Sequence, residues 1–129
     1  MKISERTIER LGEIITGDKP RVADCPISPY RSGPQLVRFF NEFGLNEIYG
    51  QGFPSRWEFA QNCIRRFNGS PALRGVILAA LDPRHFMSNT VLDSKTQGQK
   101  PANVQEAIGY LNDFLAFDGY AVLPSWELI

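Results

Sequence analysis

Residues 70–83 read Ser-Pro-Ala-Leu-Arg-Gly-Val-Ile-Leu-Ala-Ala-Leu-Asp-Pro. Leu73, Val76, Ile77, Ala80 and Leu81 recur at three- and four-residue spacing, which is the period of a helix face. Ser70-Pro71 offers an N-cap followed by a proline where no amide donor is needed, and Asp82-Pro83 stops the run. The stretch predicts a helix to about Leu81. Its apolar face is broad, so the helix should be well buried. The other periodic segments are read as its neighbours.

Toward the N-terminus, Pro54 and Ser55 open a helix over about 55–67, closed by Asn68-Gly69. Trp57, Ala60, Ile64 and Phe67 form its stripe. Before it, Ser32 caps a helix with Pro34 in the first turn. Leu36, Phe40 and Phe43 line that helix, and Gly44 ends it. Residues 4–16 form the first helix: Ser4 caps it, Ile8, Leu11 and Ile15 face inward, and Gly17 stops it. Prolines 20, 26, 29 and 34 mark 18–34 as loop, held to the body by Val22, Ile27 and Tyr30. Toward the C-terminus, 87–102 is polar around Val91-Leu92 and reads as the least ordered loop. Asn103 caps a fifth helix over about 103–117, with Val104, Ala107, Ile108, Leu111, Phe114 and Leu115 inward. Tyr120 to Ile129 reads as a short hairpin.

The expected fold is therefore mainly α: about five helices in a compact bundle with a small C-terminal β-hairpin. The expected core includes Leu11, Ile15, Phe40, Trp57, Ile64, Ile77, Leu111 and Phe114. A length of 129 residues fits one domain, 1–129. The end Trp126-Glu127-Leu128-Ile129 reads as a cut within a longer polypeptide, so the domain is expected to be the N-terminal module of a larger protein.

Fourteen basic and fourteen acidic side chains cancel. That argues against a general polyanion coat. The cancellation hides a gradient. Residues 56–85 hold Arg56, Arg65, Arg66, Arg74 and Arg84 against Glu58 and Asp82, whereas 86–129 hold two lysines against five acids. No apolar run approaches the roughly 20 residues of a membrane span. The polar N-terminus is no signal peptide. Cys25 and Cys63 are therefore expected as free thiols in the cytoplasm.

Recognisable chemistry is sparse. His85 is the sole imidazole, too little for a triad or a zinc site, and it can cap the preceding helix end. Asp93-Ser94-Lys95 superficially resembles a nuclease Asp-x-Lys strand, but no second carboxylate is placed to share a metal. Gly50-Gln51-Gly52 precedes a helix, where glycines can cradle an anion, yet it lacks a nucleotide-cradle pattern. No catalytic residue, metal ligand or cofactor is assigned. The informative segments are two loops that feed helix N-termini: Ser28-Pro29-Tyr30-Arg31-Ser32-Gly33 and Tyr49-Gly50-Gln51-Gly52-Phe53-Pro54-Ser55-Arg56-Trp57. Tyr30, Arg31, Tyr49, Arg56, Trp57, Arg84 and His85 are candidate binding residues, with Arg31, Arg56 and Arg84 expected to share a polar surface. The plainer alternative is architectural, with glycines setting turns and aromatics plugging the core.

These segments resemble the N-terminal domain of AbiJ-type bacterial abortive infection proteins. So do Ile3-Ser4-Glu5-Arg6-Thr7, Ala80-Leu81-Asp82-Pro83-Arg84-His85-Phe86 and Asp118-Gly119-Tyr120. The resemblance implies a helical, non-catalytic sensor or interaction module of an anti-phage system. Its expected partner is a C-terminal effector domain of the same chain or another protein. Two other classes compete. A helix followed by a hairpin over 103–128 is reminiscent of a winged helix that binds nucleic acid, although its acidity opposes phosphate. A small hydrolase around His85 and Asp93 is the third.

Overall fold

The computed structural model describes residues 1–20, 25–93 and 95–129. Five helices form the body: α1 (Glu5–Thr16), α2 (Gly33–Asn41), α3 (Arg56–Phe67), α4 (Ala72–Ala80) and α6 (Val104–Asp118). Between the last two lie a one-turn helix, α5 (Pro83–Met87), and two strands, β1 (Thr90–Leu92) and β2 (Gln99–Pro101). The mainly helical bundle with a small β element is the architecture that the sequence leads one to expect, although β1 and β2 lie where a loop was expected. Val22 and Ser94 lie outside the described residues. Among the described residues, no helix is long and apolar enough to cross a membrane.

α1 is the hub and packs against α3, α4 and α6. Its Ile8, Leu11, Ile14 and Ile15 are fully buried. They meet Leu36 and Phe40 of α2, Ile64 of α3, Leu73, Val76 and Ile77 of α4, and Leu111 and Leu115 of α6 in one core. An aromatic cluster anchors α2 on α3: Phe40 meets Phe59 edge-on at 5.9 Å, and Phe43 meets Phe67 at 6.1 Å. Cutting Phe40 to alanine would cost about 3–5 kcal/mol by the usual core-cavity scale.

The capping grammar holds at several ends. The Ser4 hydroxyl accepts from the Thr7 amide, and Gly17 closes α1 in the left-handed region at φ 76°. At α2, Ser32 and Gln35 form a reciprocal capping box. It fails at α4. The Ser70 hydroxyl instead donates to the Phe67 carbonyl at 2.7 Å, finishing α3, and α4 begins after Pro71 with no side-chain cap. Asp82-Pro83 ends α4 but also starts α5, with Asp82 accepting from the Arg84 amide.

Two core assignments are corrected. Trp57 is 54% exposed. α3 turns Phe59, Ala60, Cys63, Ile64 and Phe67 inward, leaving Trp57 on the outer side of its first turn. Phe114 is only half-buried. Its ring lies on the α6 surface under the Arg10 guanidinium, 5.2 Å from the centroid. The polar loop expected over 87–102 is also corrected. β1 and β2 pair antiparallel there, from Thr90 opposite Pro101 to Leu92 opposite Gln99. Only Val91 of these six residues is buried, so the ladder forms without the alternating pattern that announces a strand. The expected C-terminal hairpin forms: Ala121 and Ile129 exchange two 2.9 Å backbone hydrogen bonds, and Val122 bridges Leu128. Asn112 of α6 clamps it, exchanging two 2.8 Å hydrogen bonds with the Val122 backbone.

Candidate functional site

The loop before α2 does architectural work first. The last carbonyls of α1 have no partner within their own helix, and this end is buried, so each needs an external donor. The Ser28 hydroxyl donates to the Ile14 carbonyl at 2.7 Å. The Arg31 guanidinium donates to the Ile15 carbonyl at 3.0 Å, and the Arg31 amide donates to Thr16. Arg56 reaches the same place from α3. Its Nε donates to the Arg31 carbonyl at 2.9 Å, Nη1 to Asp18 Oδ1 at 2.9 Å, and Nη2 to the Thr16 carbonyl. Two cations at a helix C-terminus also oppose its dipole favourably.

This clasp settles where the predicted arginines go. Arg31 is 7% exposed and lies over the Phe39 ring at 4.6 Å. Burial pulls its guanidinium down to about 10, partly offset by Asp82. Arg56 lies over the Tyr30 ring at 3.9 Å. Arg84 is exposed and pairs with Asp82 at 2.7 Å. Of the three arginines expected on one polar surface, Arg31 is interior and shares the α1 clasp with Arg56, which also pairs with Asp18, while Arg84 is exposed and held by Asp82. His85 lies between the first loop and α2, lining a small cleft with Arg31, Gln35, Arg38, Phe39 and Glu42. Burial and the nearby Arg31 pull its imidazole down to about 4, against opposing contributions from the Pro29 carbonyl and Asp82. Its Nε2 is buried without a hydrogen-bond partner among the described residues.

The second loop shapes a cavity. The Phe53 amide donates to the Gly50 carbonyl at 3.1 Å, a tight turn that Gly52 permits at φ 82°. Tyr49 lies flat against the start of α2. A Cβ on Gly33 would stand 2.1 Å from its ring, so any larger residue there displaces Tyr49 from this position. The Tyr49, Phe53 and Phe59 rings follow at centroid spacings of 4.7 and 4.6 Å. Between this turn and α3 lies a cavity of about 580 Å³, lined by Glu47, Ile48, Gln51, Phe53, Phe59, Asn62, Cys63 and Arg66 among others. Arg66 pairs with Glu47 at 2.5 Å on its rim. Burial pushes the Cys63 thiol up to about 12, with Glu47 adding to the effect, so the thiol stays protonated and is a poor nucleophile.

Sequence reasoning named Tyr49 and the turn but missed Asn62, Cys63 and Arg66 as cavity residues. The signal was present. Phe59, Asn62, Cys63 and Arg66 stand at i, i+3, i+4 and i+7, a second row beside the core stripe. Trp57 walls a separate groove with Glu9, Glu13, Asp18, Lys19 and Gln61.

All five arginines of the basic middle segment are engaged within the chain. Besides the bonds of Arg56, Arg66 and Arg84, Arg65 pairs with Glu5 at 2.9 Å and Arg74 donates to the Leu128 carbonyl. Both cysteines are free. Among the described residues, no three His, Cys, Asp or Glu side chains are grouped to hold a metal ion. Comparison with protein-family models, curated proteins and solved structures returns no match.

Proposed function

We propose that this chain is a non-catalytic recognition module of a bacterial abortive-infection protein. It acts in the cytoplasm and couples to an effector region of its own chain or of another protein. The observation that carries the reading is a set of aromatics exposed around the N-termini of α2 and α3, two of them held in place. Tyr30, Tyr49 and Trp57 are each more than half exposed. Tyr30 is held under Arg56, and Tyr49 is seated on Gly33. Large, immobilised aromatic side chains lose little entropy when a partner covers them, which is why such residues dominate binding hot spots.

The test uses the natural full-length gene in cells challenged with phage. Tyr30→Ala combined with Trp57→Ala should abolish protection while leaving the melting temperature of the purified protein nearly unchanged. Full protection by that double variant, or no protection by the unaltered gene, overturns the proposal.

A further inference from the structure

We propose that the cleft between the first loop, α2 and α5 binds one oxyanionic group, a phosphoryl or a carboxylate, with Arg31 at its base and Arg38 and Gln35 at its rim. The cleft holds about 200 Å³ and is lined by Arg31, Gln35, Arg38, Phe39, Glu42 and His85. That volume is below the range of drug-sized sites and suits a single charged group.

The observation that carries the proposal is a buried cation without a counter-ion. Arg31 is 7% exposed, and among the described residues it has no ion-pair partner. A charge taken out of water is normally paired, because desolvation costs more than one hydrogen bond returns. The Arg31 side chain makes one such bond, from Nη1 to the Ile15 carbonyl, and rests on the Phe39 ring. Its other N–H groups have no acceptor among the described residues. They are not sealed from solvent, so they open into the cleft that Arg31 lines. Asp82, whose charge acts on Arg31, is itself held by Arg84 through bonds of 3.1 and 2.7 Å.

The rim adds donors. Gln35 Oε1 accepts from the Ser32 amide at 2.7 Å, so the amino group is what Gln35 offers to the cleft. Arg38 is exposed and has no ion pair among the described residues. Glu42 is the one acid on the lining. Burial and Arg31 hold the His85 imidazole down to about 4, so it carries no charge at neutral pH. Two guanidinium groups against one carboxylate leave the cleft positive. Their planar forks match the paired oxygens of an oxyanion. The inference does not depend on the exposed aromatics or on a role in defence.

His85 is the sole imidazole of the chain, so its ring resonances report on the cleft without ambiguity. The chain is titrated at pH 7 with inorganic phosphate and, separately, with sodium acetate, sodium chloride holding the ionic strength constant. At least one of the two should shift the His85 resonances saturably, with Kd at or below about 5 mM. Saturation by phosphate assigns the site to a phosphoryl group, and saturation by acetate to a carboxylate. Arg38→Gln should weaken that binding about threefold and Glu42→Gln should tighten it about twofold, as expected of exposed charges. The proposal fails if neither anion saturates or if chloride alone produces the same shifts. It fails equally if both variants bind as the unaltered chain does.

Discussion

Arg56 shows how one side chain can serve as a structural tie while looking functional in sequence. Its planar guanidinium reaches three acceptors that belong to different segments: Asp18, Thr16 and Arg31. Lysine offers a point charge and cannot reproduce that fork. Arg56→Lys should therefore lower unfolding stability by about 1–3 kcal/mol, the cost of stranding buried carbonyls. Urea denaturation reads the change, and an unaltered midpoint would show that the clasp contributes nothing. His85 makes a pH prediction. Its folded-state value is about 4 against an ordinary 6.5. As pH falls below about 6.5, the unfolded chain takes up the proton first, so stability should decline until about pH 4. Asp82, held down chiefly by its hydrogen bond with Arg84, adds its own loss only at more acidic pH. His85→Gln should flatten the fall in melting temperature between pH 7 and pH 5. Identical slopes in the two proteins would assign that fall to other groups.

At the scale of elements, two serines in the same sequence role separate motif from mechanism. Ser32 caps α2 through a complete box, whereas Ser55 precedes α3 with no side-chain hydrogen bond. Ser32→Ala should cost about 1 kcal/mol and Ser55→Ala close to nothing, measured by thermal unfolding of the pair. Equal losses would mean that the observed cap geometry does not control helix stability. The same contrast explains what the sequence disclosed. The α1, α3 and α6 boundaries were legible because apolar period and stop residues agree there, whereas α2 ends at Asn41, short of the expected Gly44 stop, and α4 starts without the expected Ser70 cap. The β1–β2 ladder was not legible, since Gln99-Lys100-Pro101 is wholly exposed and carries no periodicity. α5 was hidden because Asp82-Pro83 reads equally as a stop and as a start. In the candidate site, the turn glycines and Tyr49 were visible. Asn62 and Arg66 were not, because polar residues on a helix face read as solvent-facing until the opposite loop is placed.

For the whole molecule, the charge gradient bears on the competing nucleic-acid reading. The basic middle of the chain is a property of sequence, and folding distributes its arginines among Glu5, Glu47, Asp18, Asp82 and backbone carbonyls. Each acidic partner lies close enough to cancel the field that a phosphate would meet. The segment 103–129 adds Glu106, Asp113, Asp118 and Glu127 with no lysine or arginine. Its closing hairpin is pinned to α6 by Asn112. Non-specific DNA binding draws almost entirely on counterion release from phosphates neutralised by free cations, and it is strongest in dilute salt. A protein with zero net charge, whose five middle-segment arginines are engaged within the chain, has little of that driving force. Fluorescence anisotropy with labelled duplex DNA and single-stranded RNA, at about 20 mM salt and protein up to about 10 µM, should therefore show no saturable binding. Saturable binding that collapses steeply as salt is raised would mean that the arginine pairs open in favour of phosphate. It would move the nucleic-acid reading ahead of the recognition module.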